Sequence, residues 1–154
     1  MKPRRVYIDT SVVGGCLDPE FRVASTELFE RFRAGSLIAV VSDLTLFELG
    51  PAPPEVRAVM QNIPSAYRED VVVTVSAARL AELYISAGVI GRAKQGDARH
   101  IATATVYEVD VLVSWNFKHI VNERRVHGYN AVNLREGRPF IEIRTPAEVI
   151  ADGG

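Results

Sequence analysis

Residues Asp97-Ala98-Arg99-His100-Ile101-Ala102-Thr103-Ala104 run on to Val109, and Val111-Leu112-Val113-Ser114 follows directly, ending in the turn Trp115-Asn116-Phe117. The alanine-rich run with an acid at its head reads as a helix that Asp97 starts. The β-branched run behind it reads as a buried strand. A helix leading into a short apolar strand that ends in a polar turn is the repeating unit of parallel α/β sheets.

The same alternation recurs outward from this unit. Arg5-Val6-Tyr7-Ile8 reads as a strand, and Asp9-Thr10-Ser11 as the helix start after it. Phe21 to Phe32 places Ala24, Leu28, Phe29 and Phe32 on one helical face, and Gly35 ends that helix. Leu37 to Val41 reads as a second buried strand. Ser42-Asp43 caps a helix through Leu44, Phe47 and Glu48, which Gly50-Pro51 stops. Pro53-Pro54 opens a helix to about Asn62, since proline suits the first helical turn. Val71 to Val75 reads as a strand, with Ser76 capping a helix through Leu80, Leu83 and Tyr84 to Gly88. Gly91 to Gly96 reads as a loop, Asn122 as a further cap, and Ile141-Glu142-Ile143 as the last strand. The pattern predicts a three-layer α/β/α sandwich around a mainly parallel sheet, with residues 1–150 as one domain and 151–154 as a frayed tail.

Bulk properties exclude several classes. With 47% hydrophobic and 24% charged residues, the 154-residue chain suits an ordinary globular domain with its own core. Its apolar runs are too short to span a bilayer, and Asp9 interrupts any signal-peptide core, so a cytoplasmic protein with no membrane partner is expected. Cys16 stands alone, which leaves no internal disulfide and no cysteine zinc site; a small buried hydrophobe is its expected role. A net charge of −1 disfavours nucleic-acid binding by charge alone. It permits a nuclease that sets a cation between its own carboxylates and a phosphate.

In open α/β sheets the functional crevice lies beyond the carboxyl ends of the strands. Asp9 ends the first strand, Glu48 lies in the helix after the second, Asp97 heads the helix before the fourth, and Asn116 follows that strand. Three carboxylates and an amide are thereby expected in one crevice. Such a cluster repels itself unless a hard divalent cation binds within it.

The local sequences resemble those of PIN domains. Tyr7-Ile8-Asp9-Thr10-Ser11 resembles the family's opening Asp-Thr/Ser motif, and Leu46-Phe47-Glu48-Leu49 its glutamate helix. Gly96-Asp97-Ala98-Arg99-His100-Ile101-Ala102-Thr103-Ala104 is similar to its Asp-Ala-x-His signature, and Val111 to His119 to its final strand and acidic turn. The resemblance spans nearly the whole chain in the family's order. It implies a ribonuclease using Mg²⁺ or Mn²⁺, with VapC toxins of toxin–antitoxin pairs among its relatives. It further implies a homodimer and an antitoxin protein as partners beside the RNA. Carried over by position, Asp9, Glu48, Asp97 and Asn116 form the catalytic set, and Asp9 and Asp97 hold the metal. Thr10 or Ser11 orients Asp9 or a ligand. Asn116 departs from the Asp common at its position, so its amide contributes no charge.

Around this centre, Thr10, Ser11, Lys94, Arg99, Trp115 and Lys118 are the expected substrate contacts. Trp115 offers a face for a nucleobase, against ordinary packing. Arg92, Lys94 and Arg99, with Lys118, Arg124 and Arg125, flank the crevice as phosphate contacts, against ordinary solvated charge. His100 and His119 compete between base catalysis and structural hydrogen bonding, and His127 reads as surface. The neutral Asn116 keeps a second function open, a catalytically weak or inactive RNA- or protein-binding module on the same fold. A third reading, an Asp9 nucleophile of the haloacid-dehalogenase kind, fails because Asp9-Thr10-Ser11 lacks the second Asp.

Overall fold

A computed structural model of the protein describes residues 2–152. Five strands form the sheet: β1 (Arg4–Ile8), β2 (Leu37–Ser42), β3 (Arg68–Val71), β4 (Val111–Val113) and β5 (Ile143–Arg144). All four pairings are parallel and the order is β3-β2-β1-β4-β5. The helices are α1 (Thr10–Gly14), α2 (Arg22–Ala34), α3 (Asp43–Glu48), α4 (Pro54–Gln61), α5 (Val75–Ser86), α6 (Gln95–Val106), α7 (Glu123–Arg135) and α8 (Pro146–Ala151).

Alternation along the central strands sends side chains to two cores. Val6, Ile8, Ala39, Val41, Val111 and Val113 pack beneath α1, α2, α4 and α8 with Leu28, Phe29, Phe32 and Val149. Tyr7, Val40 and Leu112 face the other way, against Leu80, Tyr84, Ile101 and Tyr129 of α5, α6 and α7. Strands buried on both faces must be apolar throughout, which is why β1, β2 and β4 read as short continuous runs. Burying each large side chain fully is worth about 1.5–3 kcal/mol. The expected three-layer α/β/α arrangement is therefore the observed one.

Local signals set several boundaries. Gly35 adopts φ 78° after α2, and a Cβ there would meet the Tyr67 ring at 2.6 Å, so only glycine serves. Ser42 and Asn122 accept hydrogen bonds from the Thr45 and Arg125 amides as helix caps.

Elsewhere the structure differs from the sequence expectation. β3 lies at Arg68–Val71, upstream of Val71 to Val75, and Thr74 rather than Ser76 caps α5. A 3₁₀ turn over Arg92–Lys94 interrupts the expected loop, α6 begins at Gln95, and Asp97 sits within its first turn instead of starting it. The last strand is Ile143–Arg144, later and shorter than Ile141 to Ile143. Of the residues expected as a frayed tail, Ala151 and Asp152 are described. Ala151 closes α8, whose start carries a full Thr145–Glu148 capping box, and Asp152 accepts from Arg144 at 3.0 Å. Gly153 and Gly154 lie outside the described residues.

β1 and β4 are neighbours, while the chain leaves them toward opposite edges of the sheet. This is the topological switch point, and the crevice beyond their carboxyl ends is where such sheets bind ligands.

Candidate metal centre

Asp9 leaves the end of β1 and is 5% exposed. Its amide continues the ladder by donating to the Val113 carbonyl at 3.2 Å. One carboxylate oxygen, Oδ2, accepts from Ser11 Oγ at 2.7 Å and from Ser114 Oγ at 2.6 Å. These two hydroxyls fix the carboxylate and leave Oδ1 directed elsewhere, 3.8 Å from His100 Nε2. Ser114, at the end of β4 and fully buried, was not singled out by the sequence; a polar residue closing an apolar strand beside Asn116 is the signal that marks it.

Glu48 arrives from α3. Its Oε1 accepts from His100 Nε2 at 2.8 Å and from the Thr10 hydroxyl. Thr10 thus orients Glu48, and Ser11 orients Asp9. Burial pushes the Glu48 carboxyl upward, but the hydrogen bonds and charge of His100, with the Thr10 bond, outweigh it and hold Glu48 below the usual range.

His100 is 1% exposed. Its Nδ1 lies 2.7 Å from Tyr7 Oη, which is 2.7 Å from Ser42 Oγ, so the ring is clamped between the sheet and Glu48. With Glu48 ionised, Nε2 carries the proton it donates. Desolvation opposes the charged ring, yet the Glu48 bond and the charges of Asp9, Glu48 and Asp97 raise its pKa. Both ring nitrogens of His100 thus have partners, and the ring aims Glu48 Oε1.

Asp97 projects from the first turn of α6. Burial, then the nearby Asp9 charge, raises its carboxyl above the ordinary value. Asn116 Nδ2 donates to Asp97 Oδ2 at 3.1 Å, and Asn116 Oδ1 accepts the His119 amide at 2.9 Å. The Asn116 oxygen therefore pins the β4–α7 turn, and only its donor end faces the acid.

The flanking residues divide. Trp115 is packed: Phe21 stacks on it at 4.3 Å with the planes 17° apart, and its Nε1 donates to buried Ser25 Oγ at 2.8 Å. Gly15 makes room for that contact, since a Cβ there would sit 2.8 Å from Trp115 Nε1. Phe117, 51% exposed, is the open ring beside it. Lys94 and Lys118 are exposed and near His119, whose ring burial and Arg125 hold below the usual range. Arg99 lies two residues round α6 from Asp97 and within charge range of Glu82 on α5, away from the carboxylates. A larger groove of about 700 Å³, lined by Leu134, Phe140 and Ile143, is mostly apolar and touches none of the carboxylates.

The donor set can be tested against a hard cation. Among the described residues no group of three or more His, Cys, Asp or Glu side chains is arranged to hold a metal. Asp9 and Asp97 each keep one carboxylate oxygen, Oδ1, without a hydrogen bond among the described residues. Two carboxylates with water and substrate completing the shell suit Mg²⁺ or Mn²⁺, which favour oxygen donors and few protein ligands. The residues fit that ion and offer nothing to a thiol-seeking one.

The parallel five-stranded sheet with helices on both faces is a PIN-like α/β fold. The structure is similar to VapBC2 from Rickettsia felis bound to a DNA fragment from their promoter, at TM-score 0.56 and 10% identity, over 92% of this chain and 98% of that one. It is similar to the sarcin-ricin loop cleaving toxin VapC20 from Mycobacterium tuberculosis, at TM-score 0.56 and 14% identity, over 74% and 92% of the two chains. FitAcB from Neisseria gonorrhoeae gives TM-score 0.55 and 14% identity, over 92% and 97%. No family model and no curated protein matches the chain. No described helix is long and apolar enough to cross a membrane.

Proposed function

We propose that the protein is a ribonuclease that hydrolyses RNA phosphodiester bonds with Mg²⁺ or Mn²⁺ held by Asp9 and Asp97, and that it is the toxin of a toxin–antitoxin pair. The observation that carries this reading is that Asp9, at the end of β1, and Asp97, in the first turn of α6, meet at the switch point, where burial first and then the Asp9 charge raise the Asp97 carboxyl. Sites that store such repulsion are built for a cation. The fold shared with a toxin described as cleaving the sarcin-ricin loop supports the substrate class.

A divalent ion bound there would polarise the phosphoryl oxygen and lower the pKa of the attacking water. The chain's own residues do the rest. Ser11 and Ser114 keep Asp9 from rotating away. Asp97, with its Oδ2 taken by Asn116, offers its free Oδ1 beside Asp9 as the second carboxylate for the cation. Glu48, held ionised by His100, supplies fixed negative charge and not proton transfer. Lys94 and Lys118 supply positive charge at the rim for the substrate backbone. An antitoxin protein and a second copy of the chain are the partners this reading implies.

One observation favours a second reading, a binding module of the same fold. Asn116 donates to Asp97 and so quiets part of its charge without any metal. The two readings part in one experiment. Asp97→Asn should abolish Mn²⁺-dependent cleavage of single-stranded RNA and leave the fold intact. A cation that binds only the folded state also stabilises it, by about 2.7 kcal/mol at one hundred times Kd. Wild type should therefore gain more melting temperature from Mn²⁺ than Asp9→Asn/Asp97→Asn. Undiminished cleavage by Asp97→Asn, with equal metal shifts in both proteins, would sink the ribonuclease assignment.

A further inference from the structure

Beyond the carboxylates, the β4–α7 turn carries an aromatic shelf and a basic cavity side by side. Phe21, Trp115 and Phe117 form one ring cluster, with centroids 4.3–6.3 Å apart. Trp115 is locked beneath Phe21, so the cluster turns an open ring outward only at Phe117, which is 51% exposed. The turn is rigid. Asn116 Oδ1 takes the His119 amide, the Asn116 carbonyl takes the Ile120 and Val121 amides at 3.1 and 2.8 Å, and Asn122 Nδ2 donates to the Phe117 carbonyl at 3.4 Å. An exposed aromatic held on a fixed turn loses little freedom when something stacks on it.

The next residue, Lys118, lines an open cavity of about 500 Å³ with Arg124, Arg125 and the Ala87-Gly88-Val89 loop that follows α5. Arg125 Nη1 is anchored on the Val89 carbonyl at 2.7 Å. No carboxylate among the described residues pairs with Lys118, Arg124 or Arg125. Lys118 stands two residues past Asn116, whose Nδ2 donates to Asp97 Oδ2 at 3.1 Å, so the β4–α7 turn joins the basic cavity to the acidic centre along the chain.

An open ring next to unpaired cations matches single-stranded nucleic acid, in which a stacking base and a phosphate alternate. A docked apolar peptide would account for the ring but not for three cations without acids. Resting on the ribonuclease reading, we propose that the RNA strand leaves the Asp9–Asp97 centre along Asn116–Lys118. One base stacks on Phe117, and the following phosphate enters the Lys118/Arg124/Arg125 cavity.

The test is fluorescence anisotropy with labelled single-stranded RNA in chelator, where nothing is cleaved. Phe117→Ala should weaken binding by about five- to one-hundred-and-fifty-fold, the usual range for one stacked base. Phe117→Tyr should retain it, which separates stacking from misfolding. An abasic nucleotide should cost wild type affinity and cost Phe117→Ala almost none. Lys118→Ala/Arg124→Ala should flatten the slope of log affinity against log salt by about 0.7 for each phosphate no longer neutralised. Unchanged RNA affinity in Phe117→Ala overturns the track, as does a Phe117→Ala defect confined to a protein partner. Phe117-dependent binding by a wild type that never cleaves in Mn²⁺ upholds the track and removes the ribonuclease reading. Cleavage by wild type with no Phe117 dependence does the reverse.

Discussion

Asn116→Asp replaces the amide that now donates to Asp97 Oδ2 at 3.1 Å. The new side chain can still accept the His119 amide at 2.9 Å, so the turn keeps its geometry and the second oxygen is forced toward Asp97. The hydrogen bond to an ionised partner, worth about 1.5–3 kcal/mol, disappears. In its place stand two carboxylates, and unit charges 4 Å apart repel by about 4 kcal/mol at an effective dielectric near 20. Protonating one of them at pH 7 is no cheaper, since lifting a pKa from about 4 to 7 also costs about 4 kcal/mol. Both residues are only half-buried, and side-chain rotation relieves part of the clash. A net loss of about 2 kcal/mol in chelator is therefore expected, or a fall of at least about 4 °C in melting temperature at this chain length. The raised carboxyl of the pair makes this penalty largest above its folded pKa, and it fades as the pH falls toward 4. Added Mn²⁺ should recover more stability in the mutant than in wild type, because the extra charge tightens an oxygen site. Paired thermal melts in chelator and in Mn²⁺, at pH 7 and near pH 4, read all of this. A mutant that melts within 1 °C of wild type in chelator refutes the Asn116–Asp97 hydrogen bond.

Three further outcomes follow from other parts of the molecule. His100→Ala strips Tyr7 and Glu48 of their buried partner and leaves a cavity, so urea unfolding should show a loss of roughly 2–4 kcal/mol; a loss under 0.5 kcal/mol would contradict the clamp. Arg5 holds the Glu69 carboxyl below its ordinary 4.5 through a 2.9 Å pair. That contribution is full above the unfolded pKa and vanishes as pH falls through the lower folded one, and the exposure of both groups keeps it within about 1 kcal/mol. Glu69→Gln should thus flatten the acid limb of a stability-versus-pH curve, and an unaltered limb would show the pair to be idle. Cys16 is buried and its thiol is pushed up to about 11, first by desolvation. A thiol reagent should modify it only on unfolding, and rapid labelling of the native protein would reveal local opening around α1.

The central strands were legible because burial on both faces allows nothing but apolar side chains there. β3 misled for the opposite reason. As an edge strand it tolerates Arg68, Glu69 and Asp70, which form ion pairs with one another and with Arg5, and its polar sequence looks like a loop beside the more apolar Val71 to Val75. α8 is only six residues long, too short for a periodic signal, although Thr145-Pro146 with Glu148 spells a capping box. Asp9, Glu48, Asp97 and Asn116 could be nominated because each follows or precedes a strand; among the four, the structure joins Asn116 to Asp97 by a hydrogen bond, and Asp9 and Glu48 are held by other side chains. Trp115 was legible as an aromatic beside Asn116. Whether its face was open depended on Phe21, nearly a hundred residues away, and the open ring turned out to be Phe117.

What no local pattern contained is the register. Ile8 pairs with Val113 in the parallel ladder, and the Asp9 amide extends that ladder by one more bond to the Val113 carbonyl. This step alone sets Asp9 beside Ser114, and Ser114 Oγ in turn receives the Asn116 amide at 2.9 Å while donating to Asp9. The same sheet puts Tyr7 on the opposite face, where its hydroxyl reaches Ser42 and His100 and so steers Glu48. A slip of one residue would exchange the two faces, turning Tyr7 toward α2 and Ile8 toward His100. Both carboxylates would then lose their supports at once. The two hydrophobic cores therefore determine the polar site: by penalising every other register of β1 against β4, they hold Asp9 and Glu48 in place without any direct contact between the two acids.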